Sequence, residues 1–262
     1  MTSNPCPPPE RTNILGVGVS AVNMRLALDQ IACWIEQRAR QYVIVCPVYT
    51  VMMCQQQPAL RELINRAGMV TPDGMPLVFL SRRMGQPHVA RVYGPDLMLA
   101  FCELAAGRGY TSYFYGGAEG VPEQLADVLC ARFPGLRVVG TTSPPYREPG
   151  VPEDDAVIEQ INAANPDVVW VGLGSPKQDY WIAQHRDLLN APVLIGVGAA
   201  FDIHTGRLPQ APRWMQRSGL EWLFRLLAEP RRLWRRYVVY NPLFVFYMAL
   251  QLLGLRRLPL ED

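Results

Sequence analysis

Short apolar, β-branched runs recur along the chain, each ending in glycine or proline and each followed by a stretch with helical spacing. Residues 13–19 read as a strand that ends in Gly16-Val17-Gly18, and residues 21–40 repeat apolar positions every three or four. Residues 42–45 form the next strand, stopped at Cys46-Pro47; residues 58–67 are helical and lead into Met69-Val70-Thr71-Pro72-Asp73-Gly74. The theme then repeats. A strand at 112–115 meets Gly116-Gly117, a helix covers 122–132, a strand covers 136–140, and a proline-rich loop occupies 143–152. A helix at 155–164 precedes a strand at 168–171 that ends in Gly172-Leu173-Gly174. Ser175-Pro176 then offers an N-cap and a first-turn proline to the following helix. Residues 193–197 form the last clear strand, followed by Gly198. Strands alternating with amphipathic helices predict an α/β fold, a mainly parallel sheet with helices on both faces. Ligands bind such sheets at the carboxyl ends of the strands, where the glycine turns and polar motifs of this chain fall.

The pattern changes near residue 207. Residues 213–236 read as helical and hold seven arginines against two glutamates. Residues 237–255 are apolar apart from Asn241 and Gln251, and Arg256-Arg257 close the run. The chain therefore divides into a proline-rich polar tail (1–12), read as disordered and without the apolar stretch of a signal peptide, a core (13–206) and an appendage (207–262). The apolar run approaches the ~20 residues of a membrane span. Asn241-Pro242 shortens it, which favours a monotopic or re-entrant segment, with a buried core helix as the plain alternative.

Composition narrows the chemistry. With 262 residues and 49% apolar content the chain can bury a large core; a net charge of +2 by itself says nothing about partners, and no nucleic-acid partner is expected. Lys177 is the single lysine among 25 basic residues, which singles out its position. Six cysteines occur with no C-x-x-C pair, so they read as reduced, buried thiols rather than a zinc or redox centre. No D-x-D ends a strand and no histidines cluster, so neither metal nor cofactor is expected, and arginines and helix termini are left to stabilise anionic charge.

Five motifs carry the candidate chemistry. Asp73, in Thr71-Pro72-Asp73-Gly74, sits at a strand end, where a general base needs to be; Asp-Gly is equally an ordinary turn. Arg91-Val92-Tyr93-Gly94-Pro95-Asp96 offers a cation to a diphosphate, or a salt bridge beside a helix cap. Gly116-Gly117 and the glycines at 172 and 196 are weak phosphate-loop signals, since tight packing explains them as well. Gly174-Ser175-Pro176-Lys177-Gln178 places a lysine and an amide on a first helical turn, where an anion is favoured. Gly196-Val197-Gly198 through Asp202 ends a strand with another carboxylate.

Together with Ala211-Pro212-Arg213 and the run Gly219-Leu220-Glu221-Trp222-Leu223-Phe224-Arg225-Leu226, these motifs resemble the WecG/TagA/CpsF glycosyltransferases from about residue 14 to 236. The resemblance implies a Rossmann-like core and an inverting, metal-free transfer. The donor would be a UDP-sugar of N-acetylmannosamine or glucose type, and the acceptor a sugar on undecaprenyl diphosphate. The product would enter surface polysaccharide or exopolysaccharide. It implies Asp73 as general base, Arg91 and Gln178 at the donor, and Tyr146 and Asp202 near the nucleotide. Lys177, Gly116 and Gly117 are added to that site from their own motifs. Where members often carry Thr-x-Asn, this chain has Cys46-Pro47-Val48, which points to a different donor or passes the role to Tyr49 or Thr50.

The appendage is implied to dock on the membrane and close over the site. Arg213, Arg217, Arg225, Arg231, Arg232, Arg235 and Arg236 are candidates for anionic headgroups or the acceptor diphosphate, worth around 1 kcal/mol each at a charged surface. Trp222 and Trp234 suit the interface. The expected location is the cytoplasmic face of a bacterial inner membrane, peripheral or monotopic, and members can self-associate into homo-oligomers. Two other classes compete. One is a non-catalytic nucleotide-binding scaffold of a polysaccharide assembly complex, which the missing Thr-x-Asn favours. The other is a nicotinamide-dependent oxidoreductase, which lacks its G-x-G-x-x-G here.

Overall fold

The computed structural model describes residues 6–145 and 154–260, and of Arg217 the backbone only. The chain opens with β1 (Arg11–Ile14) and β2 (Val17–Ser20), then α1 (Met24–Glu36), β3 (Gln41–Cys46), α2 (Val48–Gln56), α3 (Pro58–Asn65), β4 (Met69–Pro72), α4 (Met75–Arg83) and α5 (Gly94–Arg108). It continues through β5 (Thr111–Gly116), α6 (Val121–Arg132), β6 (Arg137–Thr142), α7 (Asp155–Ala164), β7 (Val168–Gly172), α8 (Lys177–His185), β8 (Val193–Gly196) and α9 (Ala200–His204). The C-terminal helices are α10 (Arg213–Arg217), α11 (Glu221–Ala228), α12 (Pro230–Trp234) and α13 (Tyr240–Leu252), the last two joined by a π turn at Arg235–Val239.

β3 to β8 form one six-stranded sheet in the order β4-β3-β8-β7-β5-β6, every neighbouring pair parallel. The predicted α/β class holds. Strand periodicity assigns the two faces: Tyr42, Ile44 and Cys46 of β3 join one core with Val169, Val171 and Leu194, while Val43 and Val45 join the other with Val168, Trp170 and Ile195. α1, α5 and α6 cover the second core; α2, α3 and α8 cover the first, where α13 also inserts Phe244 and Met248, four residues apart on one face.

Several expectations change. The strand read at 13–19 is a hairpin outside the main sheet, because Leu15 (φ 52°) and Gly16 (φ 78°) make a two-residue turn with both φ positive. Arg11 and Thr12, assigned to the tail from the sequence, belong to β1. The hairpin packs beside edge strand β4, whose Val70 N–H donates to Ser20 Oγ at 2.9 Å, so that edge is partly covered. Cys6 and Cys33 form a disulfide across Cα atoms 6.1 Å apart, which corrects the reading of six reduced thiols; the other four are free. No local spacing announces a bridge that depends on where the N-terminal segment crosses α1.

Ser175 is not the N-cap of α8. Its hydroxyl instead accepts from Gln178 Nε2 at 3.4 Å, and the helix starts one residue after Pro176. No helix among the described residues is long and apolar enough to cross a membrane. α13 has 13 residues, about 20 Å at helical rise, against the ~30 Å of a bilayer core.

Candidate active site

At the carboxyl ends of β3, β4, β7 and β8 the chain forms an open cavity of about 630 Å³. Its floor is the two loops after β7 and β8, Gly172 to Ser175 and Val197 to Ala200. Gln178 fastens them. Its Oε1 accepts from the Gly174 N–H at 3.2 Å and from the Gly198 N–H at 2.9 Å, and the side chain is buried. Close approach sets the floor's shape: a Cβ on Gly116 would lie 2.7 Å from the Gly172 backbone, and one on Gly172 would lie 2.9 Å from the Phe201 ring.

Asp73 stands on the wall, just past the end of β4. Its N–H continues the ladder to the Cys46 carbonyl at 3.2 Å, and the Val92 N–H donates to the Pro72 carbonyl at 3.0 Å, so rigid backbone aims the carboxylate. Arg91 grips the same residue. Its Nε donates to the Asp73 carbonyl, its Nη2 lies 3.4 Å from Asp73 Oδ1, and the guanidinium stacks 4.1 Å over the Tyr93 ring. The same Nη2 lies 2.6 Å from Glu221 Oε2 at the start of α11. Burial works against the Arg91 charge, but Asp73 and Glu221 outweigh it and raise its pKa. Burial raises the Glu221 pKa, with Arg91 opposing, and pushes the Tyr93 hydroxyl far up.

The C-terminal helices form the roof. Arg225, Arg232, Arg235 and Arg236 line the cavity with Leu233 and Tyr240. Arg236 stacks 4.5 Å over the Tyr49 ring, and burial with the nearby Arg225 lowers its pKa, the mark of a cation short of anionic partners. A second, smaller cavity of about 100 Å³ shares Asp73 with the first and is lined by Met75 and Pro76 of α4 and by the roof residues Gln216, Trp222, Tyr237 and Asn241. Tyr49, Asp73, Arg225 and Arg236 line both cavities.

The residues singled out from the sequence thus divide. Asp73, Tyr49, Gln178, Asp202, Arg225, Arg232, Arg235 and Arg236 line the large cavity, and Arg91 lines the small one. Gly116, Gly117, Lys177 and Cys46 line neither. Cys46 is wholly buried, and burial holds its thiol pKa well up. Thr50 is buried as well, so of the two substitutes for Thr-x-Asn only Tyr49 reaches the site. Arg213 and Arg231 are exposed and outside both cavities. Tyr146 and the Arg217 side chain lie outside the described residues. Sequence reading missed Glu221 and Tyr93 as site members, though both stand inside motifs it quoted; a carboxylate in an arginine-rich helix was the available signal. Among the described residues no three His, Cys, Asp or Glu side chains are grouped to hold a metal.

Comparison with known proteins identifies the family. The chain is 30% identical over 203 residues to an N-acetylglucosaminyldiphosphoundecaprenol N-acetyl-beta-D-mannosaminyltransferase of Bacillus spizizenii, covering 78% of this chain and 77% of that protein. It is 26% identical over 241 residues to the protein of that name from Staphylococcus aureus, covering 91% and 92%. The profile of the "Glycosyl transferase WecG/TagA/CpsF family" matches residues 12–258. The chain belongs to the WecG/TagA/CpsF family and is a glycosyltransferase.

Proposed function

We propose that the chain moves a sugar from a UDP-sugar to a sugar carried on undecaprenyl diphosphate, by a single inverting displacement without a metal. The relatives' names specify an acceptor of this kind. The observation that carries the reading is that Asp73 lines both cavities. On this reading the larger cavity takes the nucleotide-sugar, and the smaller receives the acceptor sugar, where Trp222 and Tyr237 supply aromatic faces. The acceptor hydroxyl attacks the anomeric carbon, the bond from that carbon to the UDP oxygen breaks, and Asp73 takes the hydroxyl proton. Base catalysis of this kind contributes about 10²–10⁴-fold. Arg225 and Arg236 take up the charge that grows on the leaving diphosphate.

The roof also suits a membrane surface. Trp234, Val238, Val239, Val245, Phe246, Leu252 and Leu253 are exposed, and the exposed Arg231 and Arg235 flank Trp234 along the chain. A peripheral protein on the cytoplasmic leaflet would use such a face to reach a lipid-bound acceptor.

The test is UDP release by the full chain with a synthetic lipid-diphosphate-sugar acceptor and a panel of UDP-sugars. Acceptor-dependent release that collapses in Asp73→Asn supports transfer. UDP binding with no release from any donor favours the scaffold reading, for which the loss of Thr-x-Asn at Cys46-Pro47-Val48 is the supporting observation.

A further inference from the structure

Arg91 divides its guanidinium between two carboxylates from different parts of the fold. Asp73 follows β4, whereas Glu221 opens α11 in the roof, 130 residues beyond Arg91. The three side chains are 17%, 16% and 13% exposed for Arg91, Asp73 and Glu221, so water screens them little. The shorter contact is to Glu221 Oε2, at 2.6 Å, and the longer to Asp73 Oδ1, at 3.4 Å. Arg91 Nε is already committed to the Asp73 main-chain carbonyl.

We propose that Glu221 is a positioning residue for the reaction: by holding Nη2 of Arg91 it stops the guanidinium from closing on the Asp73 carboxylate and leaves that carboxylate aimed at the acceptor hydroxyl. The inference rests on Asp73 being the base. An arginine fork placed beside a free carboxylate closes into a two-bond pair. Such a pair would occupy the oxygens that must accept the proton and would weaken them as a base. Glu221 supplies a competing carboxylate at the distance that prevents this. The other groups around Asp73 do not replace it: Arg225 on α11 and Arg236 on the π turn add positive charge, Tyr93 is held protonated, and Asp96 on α5 and the Cys46 thiol contribute at longer range. Among the described residues, Arg91 is the one cation within ion-pair distance of Asp73.

The experiment uses full-length Glu221→Gln, Glu221→Asp, Arg91→Gln, the double variant Arg91→Gln/Glu221→Gln, and Asp73→Asn. The readouts are UDP release with the best UDP-sugar of the panel and UDP affinity by calorimetry. Glu221→Gln is expected to lower kcat about tenfold or more, with donor KM and UDP Kd unchanged within about twofold, because its loss falls on the chemical step. Glu221→Asp recovers part of kcat, and the double variant is no worse than Arg91→Gln alone. Wild-type kcat in Glu221→Gln, a loss seen only as weaker UDP binding, or losses that multiply in the double variant would each overturn the proposal. Activity retained in Asp73→Asn would instead overturn the base itself, whereas an inactive Asp73→Asn beside a fully active Glu221→Gln would remove only the role of Glu221.

Discussion

The amide oxygen of Gln178 accepts a hydrogen bond from the backbone N–H of Gly198 at 2.9 Å, which ties the loop after β8 to the first turn of α8. Since the same oxygen also takes the Gly174 N–H, Gln178 shapes the cavity floor rather than only touching its contents. Gln178→Ala leaves both N–H groups unanswered. The expected outcome is a loss of about 1–3 kcal/mol in unfolding free energy, together with weaker UDP binding. Denaturant titration and calorimetry check the two separately.

Asp73→Asn keeps the shape of the wall and removes the proton acceptor. Turnover is expected to fall by about 10²–10⁴-fold, while UDP affinity stays close to that of the unaltered chain. A parallel fall in UDP affinity would assign Asp73 to binding instead of proton transfer.

Gly116→Ala tests the structural role of a turn that also looked like a phosphate loop. At φ 123° and with 2.7 Å to the Gly172 backbone, a Cβ strains both strand ends. Loss of more than about 2 kcal/mol in stability is expected, with UDP affinity unaffected in protein kept folded at low temperature. Weakened binding in a protein of normal stability would return Gly116 to the ligand site.

Asp179 is wholly buried, and its pKa is pushed up to about 7 by burial, with Ser175 and Gln178 pulling the other way. The folded state prefers the protonated form, so the favourable contribution is present below the unfolded pKa near 4 and is lost as pH rises towards 7. Stability of the unaltered chain should therefore decline across that window by on the order of 1.4 kcal/mol per pH unit at most. Asp179→Asn should flatten the decline, which melting curves at pH 4, 5.5 and 7 would show. Parallel curves for both proteins would contradict the buried, neutral carboxyl.

Arg231 and Trp234 are exposed on α12 and separate two kinds of membrane attraction. Arg231→Ala is expected to weaken binding to vesicles rich in anionic lipid by around 1 kcal/mol, a difference that high salt removes. Trp234→Ala is expected to weaken binding in low and high salt alike. Equal binding by all three proteins in sedimentation would argue against this face as the membrane contact.

The sequence alone determined much of the alternation of strands and helices, the strand at residues 42–45 and the place of Asp73 at a strand end. These follow from near neighbours, because side-chain period and turn chemistry act over a few residues. α2 leaves no such local mark, because buried residues lie all round it, Val48, Thr50, Val51, Met52 and Cys54, and it shows no polar stripe. Only the tertiary structure decided that Gln178 turns its amide to two glycines, that Cys46 faces the core while Tyr49 faces the site, and that Glu221 reaches Arg91. Those facts join segments far apart in the chain. Which segments meet is fixed by how sheet faces and helices bury their apolar surface together, and no local pattern records that.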